Sequence, residues 1–438
     1  MKHIKVFKTT MIASVVMSGL SVSSASQAAN WLMLQGTEPA AAAGRAKVWG
    51  FIQAQYQKDQ SDAGPTPSGE GYIPPKLIGP NLNSQQQFNV NRARLGVRGI
   101  GMPLDSRVNY FLLAEFGNNG ITAPGGGDAH LTDASITINT DATRIRAGLF
   151  KIPGPEETLQ AIHVFDYINF SEVSNQLMLE RFPQSVDTFQ GATDTPDASM
   201  GQYSRALGAV RDVGVQLFDS FQSADWDHSY AVMLGNGNGL NFGDNDDNLD
   251  TYLYWSSEMQ FGGKGPRAEG LKLFAWNHSG KRTNAYNKTQ EQDRKRSGVG
   301  VKYLQKPFRA TFEYMQGDGM IFQGQHRPTM VFNDEEADGY YVDFGYYIPN
   351  TNWELDLRID SYTRGENFIH PVNATLNSAA SDESTFDKTT IGAQYHINKK
   401  TRINMEYSDR SFESDTATVN AQLEGVGARM AVQLTHIF

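Results

Sequence analysis

The chain has 438 residues, no cysteine, 42 glycines, 24 phenylalanines, 18 tyrosines and a formal charge of −10. The lack of cysteine excludes disulfide scaffolds, Cys-ligated metals and thiol catalysis, and the acidic balance excludes a general nucleic-acid binder, which needs a basic face. Low mean hydropathy excludes a bundle of membrane-spanning helices. The plentiful Gly, Tyr and Phe leave a strand- and turn-rich chain, either a soluble all-β protein or a β-barrel whose apolar residues are diluted by alternation.

The N-terminus reads as an export signal. Lys2, Lys5 and Lys8 precede the apolar stretch from Thr9 to Leu20, and Ser26-Gln27-Ala28-Ala29 gives a small-residue cleavage site after Ala28 or Ala29. Residues 1–28 are therefore expected to be removed, and residues 29–44 to form a short periplasmic tether. No later stretch has 18 consecutive apolar residues, so no spanning helix is expected.

From residue 45 onward the sequence alternates with period two. Ala93, Leu95 and Val97 interleave with Arg92, Arg94 and Arg98, and Ile145, Ala147 and Leu149 interleave with Arg144, Arg146 and Gly148. Leu355, Leu357 and Ile359 interleave with Glu354, Asp356, Arg358 and Asp360 further along, and Ile403 and Met405 with Arg402, Asn404 and Glu406. Successive strand side chains face opposite ways. A strand with full charges on one face and an uninterrupted apolar face on the other suits a water-filled lumen inside and lipid outside. Aromatics near the ends of the apolar faces, among them Tyr56, Trp255, Phe308, Tyr346, Trp353 and Tyr395, suit interfacial girdles.

Strands are predicted near 46–57, 88–100, 106–117, 130–140, 143–151, 206–219, 227–236, 250–261, 269–279, 296–305, 308–317, 338–348, 351–362, 386–397, 400–411 and 424–438. Sixteen is an even number, and each strand has about the 9–11 residues that a tilted spanning strand needs. Long gaps follow the odd strands and short gaps the even ones, which matches long external loops and short periplasmic turns. The predicted fold is all-β: a transmembrane antiparallel barrel over residues 45–438. In the last strand Met430, Val432, Leu434, His436 and the terminal Phe438 share one face. This is similar to the C-terminal signature of bacterial outer-membrane proteins.

Four stretches taken together resemble the phosphate-selective porin O and P family. They are Arg92-Ala93-Arg94-Leu95-Gly96-Val97-Arg98-Gly99, Arg146-Ala147-Gly148-Leu149-Phe150-Lys151-Ile152-Pro153, Arg211-Asp212-Val213-Gly214-Val215-Gln216-Leu217 and the segment from Tyr230 to Gly239. The resemblance implies a sixteen-stranded, trimeric outer-membrane channel with a constriction lined by basic residues. It leaves phosphate selectivity open, because the later strands carry Glu354, Asp356, Asp360 and Glu406 on their polar face.

The gap from 152 to 205 is too long for an idle connector, and it corresponds to the loop that folds into such barrels and narrows them. Its charges, among them Glu156, Glu157, Asp166, Glu172, Glu180, Arg181 and Asp187, are expected to face the pore, and some of its aromatics Phe165, Tyr167, Phe170, Phe182 and Phe189 to pack the loop on the wall. Arg92, Arg94, Arg98, Arg144, Arg146 and Lys151 are the candidate anion-binding, pore-lining residues. Such a patch raises local anion concentration and passes the ion along by charge-assisted contacts. The acidic late strands would face this patch and set up a transverse field.

The acidic loop Asp244–Asp250 lacks EF-hand order, no HExxH or other metal spacing appears among the histidines, and no catalytic constellation is visible. The sequence therefore reads as an outer-membrane porin for small hydrophilic solutes with an anion preference. Its expected partners are those solutes, outer-membrane lipid and lipopolysaccharide, and two further copies of itself. No cofactor, metal, nucleic acid or enzymatic activity is expected. The competing reading is an adhesin or plugged barrel without transport.

Overall fold

The computed structural model describes residues 31–34, 46–61, 86–101, 105–119, 121–122, 129–179, 210–240, 242–244, 247–263, 267–284, 287–322, 331–332, 336–365, 383–415, 420 and 423–438. The signal segment lies outside these residues, as do Glu180, Arg181, Phe182, Asp187 and Phe189.

Sixteen antiparallel strands close into one barrel, each paired with its chain neighbours. The first eight are β1 (Lys47–Asp59), β2 (Gln86–Gly101), β3 (Asp105–Glu115), β4 (His130–Asn139), β5 (Arg144–Lys151), β6 (Arg211–Ser223), β7 (Trp226–Gly235) and β8 (Asp250–Gly262). The second eight are β9 (Glu269–Asn284), β10 (Asn287–Gln305), β11 (Phe308–Asp318), β12 (Glu336–Tyr347), β13 (Trp353–Arg364), β14 (Ser384–Asn398), β15 (Thr401–Ser414) and β16 (Arg429–Ile437). The alternating segments thus form the strands expected of them, with ends shifted by a few residues. The largest difference is at the hairpin of β9 and β10. The long gap expected at 280–295 is mostly strand, because the two strands keep pairing well beyond the membrane-length core, Arg294 opposite Gly280 and Asn287 opposite Asn284.

The barrel closes between β1 and β16, with Tyr56 opposite Val432 and Phe51 opposite Ile437. Phe438 adds one more rung, its N–H donating to the Gly50 carbonyl at 3.0 Å. A Cβ at Gly50 would lie 2.5 Å from the Phe438 ring, so glycine is needed where the terminal ring folds over.

Leu95, Leu112, Ile136, Val215, Leu253, Leu355, Ile391 and Leu434 are among the large apolar residues exposed on the outer face, where lipid replaces water as solvent. Near the short turns, Phe308 lies tilted against Tyr346 at 5.4 Å and Trp353 against Tyr395 at 4.9 Å between ring centroids. These outward rings form part of the interfacial girdle.

Two local irregularities decide which residues face inward. In β2 the pairing slips at Gln53/Ala54, so Gln53 faces Arg92 while Ala54 faces Val90. The extra residue, Asn91, is a β-bulge, and it reverses the facing of even-numbered positions. Phe88 is therefore 85% exposed outside, whereas Arg92 and Arg94 are buried inside. In β5 Gly148 adopts φ +124°, and a Cβ there would lie 2.1 Å from the Ala134 carbonyl oxygen. This residue sits between Arg146 and Lys151, an odd separation that strict alternation would send to opposite faces, yet both point inward, and Leu149, expected outside with Ala147, is buried.

Candidate functional site

The lumen is occupied by the segment that follows β5. Ile152 hands over to the β6 side through an N–H bond to the Val210 carbonyl at 3.1 Å. Pro153, Gly154 and Pro155 then carry the chain across the barrel. Gly154, at φ +101°, lies on the Trp276 ring so closely that a Cβ would sit 2.6 Å from it. There the chain makes a short helical turn, Glu156–Leu159. The Glu313 carboxylate of β11 receives the N–H groups of Glu156 at 3.0 Å and Glu157 at 3.3 Å. It also accepts from Trp276 Nε1 at 2.8 Å and the Tyr341 hydroxyl at 2.7 Å. Four donors on one buried carboxylate fix where the loop arrives.

The loop carboxylates then bind the wall one after another. Glu156 pairs with Lys272 at 2.7 Å, Glu157 with Arg358 at 3.0 Å and Glu172 with Lys388 at 3.0 Å. Asp166 bridges Arg267 at 2.5 Å and Arg309 at 3.2 Å. Backbone groups add to the set: Arg402 donates to the Phe165 carbonyl, Glu406 accepts from the Ile168 N–H at 2.5 Å, and Lys388 donates to the Phe170 carbonyl at 3.0 Å. Phe165 and Tyr167 are buried on the wall, as expected of them. The charges differ from expectation. Glu156, Glu157 and Glu172 are fully buried in ion pairs rather than turned to the pore, because unpaired carboxylates this far from water would be costly.

Two loop groups are shifted by this setting. Burial pushes His163 down to about 3, with Arg402 and Lys151 adding to the effect. Its ring lies against Phe51 and Trp49, with centroids at 5.0 and 5.8 Å. Burial acts to raise the Asp166 carboxyl, but Arg267 and Arg309 outweigh it and hold the group below the usual carboxylate range.

The acidic positions of the late strands are likewise engaged. Arg309 donates to Glu354 at 3.0 Å and also to Asp356. Asp360 accepts the Glu172 N–H at 2.7 Å, and Glu406 holds the loop backbone. The expected acidic wall is therefore a docking surface for the loop and its partner cations.

The basic candidates lie on the other side. Arg94 pairs with Glu115 at 2.6 Å and reaches Thr122 at 3.1 Å, while Arg92 donates to Gln53 at 3.0 Å. Arg98 lies over the Trp49 ring at 5.5 Å and Arg146 over the Phe218 ring at 4.4 Å. Arg144 pairs with Asp219. Lys151 donates to the carbonyls of Thr158 at 2.8 Å and Gln160 at 2.6 Å. Arg211 joins this group, paired with Asp133 at 3.1 Å. It is the first residue of β6, where both Arg211 and Asp212 are buried rather than alternating. Arg92, Arg94, Lys151 and Arg211 line one small cavity with about 30 Å³ of room, together with Asn119 and Thr122. That is enough for one small ion or a water or two. Lys272, Lys302, Arg309, Arg358 and Lys388 also point inward. The period-two pattern marks them as polar-face residues, but nothing local distinguishes an arginine that holds a loop from one that meets a solute.

Residues 79–436 match the family described as phosphate-selective porin O and P. The chain belongs to that family. It is an outer-membrane porin, and the sixteen-stranded barrel is the frame of its channel. No curated protein sequence matches it. Among solved structures it is similar to the outer-membrane channel DcaP of Acinetobacter baumannii, at 13% identity and a TM-score of 0.52, covering 92% of this chain and all of that one. It is also similar to an anion-selective porin from Comamonas acidovorans, at 13% identity and a TM-score of 0.51, covering 90% and 99% of the two chains. At such identities the likeness is one of fold.

Proposed function

We propose that this porin conducts small hydrophilic solutes passively with a preference for anions, and that Arg92, Arg94, Arg98, Arg144, Arg146, Lys151 and Arg211 set that preference. The observation that carries the reading is the contrast between the two walls. On the late strands most inward carboxylates and cations are bound to one another or to the loop, as Glu354, Asp356 and Asp343 are to Arg309 and Arg358, while Arg364 lies over the Phe386 ring. On the early strands Glu115, Asp133 and Asp219 are paired within the arc, and the arc keeps a positive excess even with Asp212 counted. A positive lining in a narrow, low-dielectric passage concentrates anions and repels cations. The family's description and the anion selectivity in the name of the Comamonas porin support the same sign.

Export by cleavage after Ala28 or Ala29, and assembly as a homotrimer in contact with lipopolysaccharide, complete the proposal. Purified protein in a planar bilayer with a salt gradient tests it. The expected result is triplet conductance steps with a reversal potential on the anion side. A cation-side reversal potential would overturn the selectivity, and correctly folded protein without steps would favour a barrel that does not transport.

A further inference from the structure

Trp31, Leu32 and Met33 belong to a four-residue helical turn, Trp31–Leu34, yet they are only 3%, 2% and 1% exposed. So short a segment cannot bury its own side chains, so the cover comes from the residues around it, the inward loop's Leu159 and Leu177 belonging to the same cluster. The three residues share one buried apolar cluster with Phe218, Ala231, Tyr254 and Phe274, which lie on the inward face of β6 to β9. The ladder pairs Arg144 with Phe218, Phe218 with Ala231, and Ala231 with Tyr254. This belt begins beside the short turn at Thr140–Thr143, the periplasmic end of the barrel. The Met33 sulfur lies 3.8 Å from Arg144 Nη1, which fixes the segment at that end.

We infer that residues 31–34 form a plug seated in the periplasmic half of the lumen, directly below the basic arc. Two of the arc's own cations border the seat: Arg144 meets Met33, and Arg146 lies over the Phe218 ring. A solute that passes the arc toward the periplasm meets Trp31, Leu32 and Met33 in its path. The hydrophobic effect holds these side chains in the aromatic seat. The side chains of Trp31, Leu32 and Met33 carry no charge, so apolar contact is what their release would give up. The plug throttles the channel, and conduction at full bore requires it to leave. This inference rests on the porin reading.

The test compares three proteins in planar bilayers: the unmodified exported chain, a variant lacking residues 30–34, and a variant of unchanged length with Trp31→Gly, Leu32→Ser and Met33→Gly. Both variants are expected to show at least a twofold higher single-channel conductance. A synthetic peptide of residues 30–35 added on the periplasmic side should return them to the lower level. Equal conductance in all three, with the heat-modifiable gel mobility of a folded barrel, would overturn the plug. Absence of current from all three would overturn the porin reading instead.

Should the variants fail to assemble, Met33→Cys in this otherwise cysteine-free chain gives an independent readout. Slow reaction with a bulky charged thiol reagent, followed by a rise in conductance, is the expected result. Rapid reaction with unchanged conductance would overturn the proposal.

Discussion

Glu157 of the inward loop and Arg358 of β13 lie 3.0 Å apart, each 1% exposed, at the point where the loop meets the far wall. The same guanidinium grips Asp343 of β12 at 2.6 Å and donates to the Asn169 carbonyl at 3.0 Å. It also lies 3.9 Å over the Tyr167 ring. One side chain therefore ties two strands to two separated stretches of the loop. Replacing it with methionine leaves two carboxylates buried without it, a loss on the order of 3–5 kcal/mol. Arg358→Met is expected to lower the thermal unfolding midpoint in detergent and to add noise to the open-channel current. A quiet channel of unchanged stability would show that the loop is held elsewhere.

Arg92 and Arg94 stand side by side on the lumen face of β2. Replacing both with alanine removes two positive charges from the arc while leaving the loop anchors on the far wall intact. The anion-to-cation permeability ratio, read from reversal potentials, is expected to fall several-fold. Lys281→Ala serves as the control, since Lys281 is exposed and pairs with Glu291 at the far end of the extended hairpin. Its ratio should not change.

Gly148 is the hinge between Arg146 and Lys151. Alanine there must place a Cβ against the Ala134 carbonyl and take up a left-handed conformation, at a cost of at least about 1–3 kcal/mol. Gly148→Ala is expected to reduce the yield of assembled barrel and to displace Lys151 from the loop carbonyls. Heat-modifiability on gels reads the first effect, and altered anion selectivity the second. Full yield with parent selectivity would argue that β5 can turn without glycine.

The pH dependence of loop docking follows from His163 and Asp166. His163 is neutral when docked, pushed down to about 3, while the unfolded chain titrates near about 6.5. Between those values the unfolded state binds the additional proton, so stability declines as pH falls through that window. Asp166 is held below the usual carboxylate range. Its contribution is present above the unfolded carboxylate pKa and is lost as pH falls further. The unfolding midpoint should therefore drop on acidification from pH 6.5, and His163→Gln should flatten the upper part of that decline. Identical curves for the two proteins would remove His163 from the account.

The strand ladder was legible because alternation is written every two residues. Leu355, Leu357 and Ile359 could only form an outward face, and Glu354, Asp356 and Arg358 an inward one. The uneven gaps, long after odd strands and short after even ones, are read by the same local logic. The site was legible only in part. Arg92 and Arg94 were found as inward cations, but Arg211 was missed as a member of their cluster. Glu156, Glu157 and Glu172 were assigned to the pore, although they are bound to the wall. Nothing local in a tether predicts that Trp31 shares a buried cluster with Phe218 and Ala231.

By itself the sequence determined the number of strands, the two faces of the regular ones and the family, because these depend on neighbours a few positions apart. Only the tertiary structure decided which charges remain available to a solute. Glu157 and Arg358, or Asp166 and Arg309, meet across the lumen from distant parts of the chain, and no local period records such a meeting. Cancellation of charge depends on distance in space, so the electrostatics of the channel exist only once the barrel has closed around its loop.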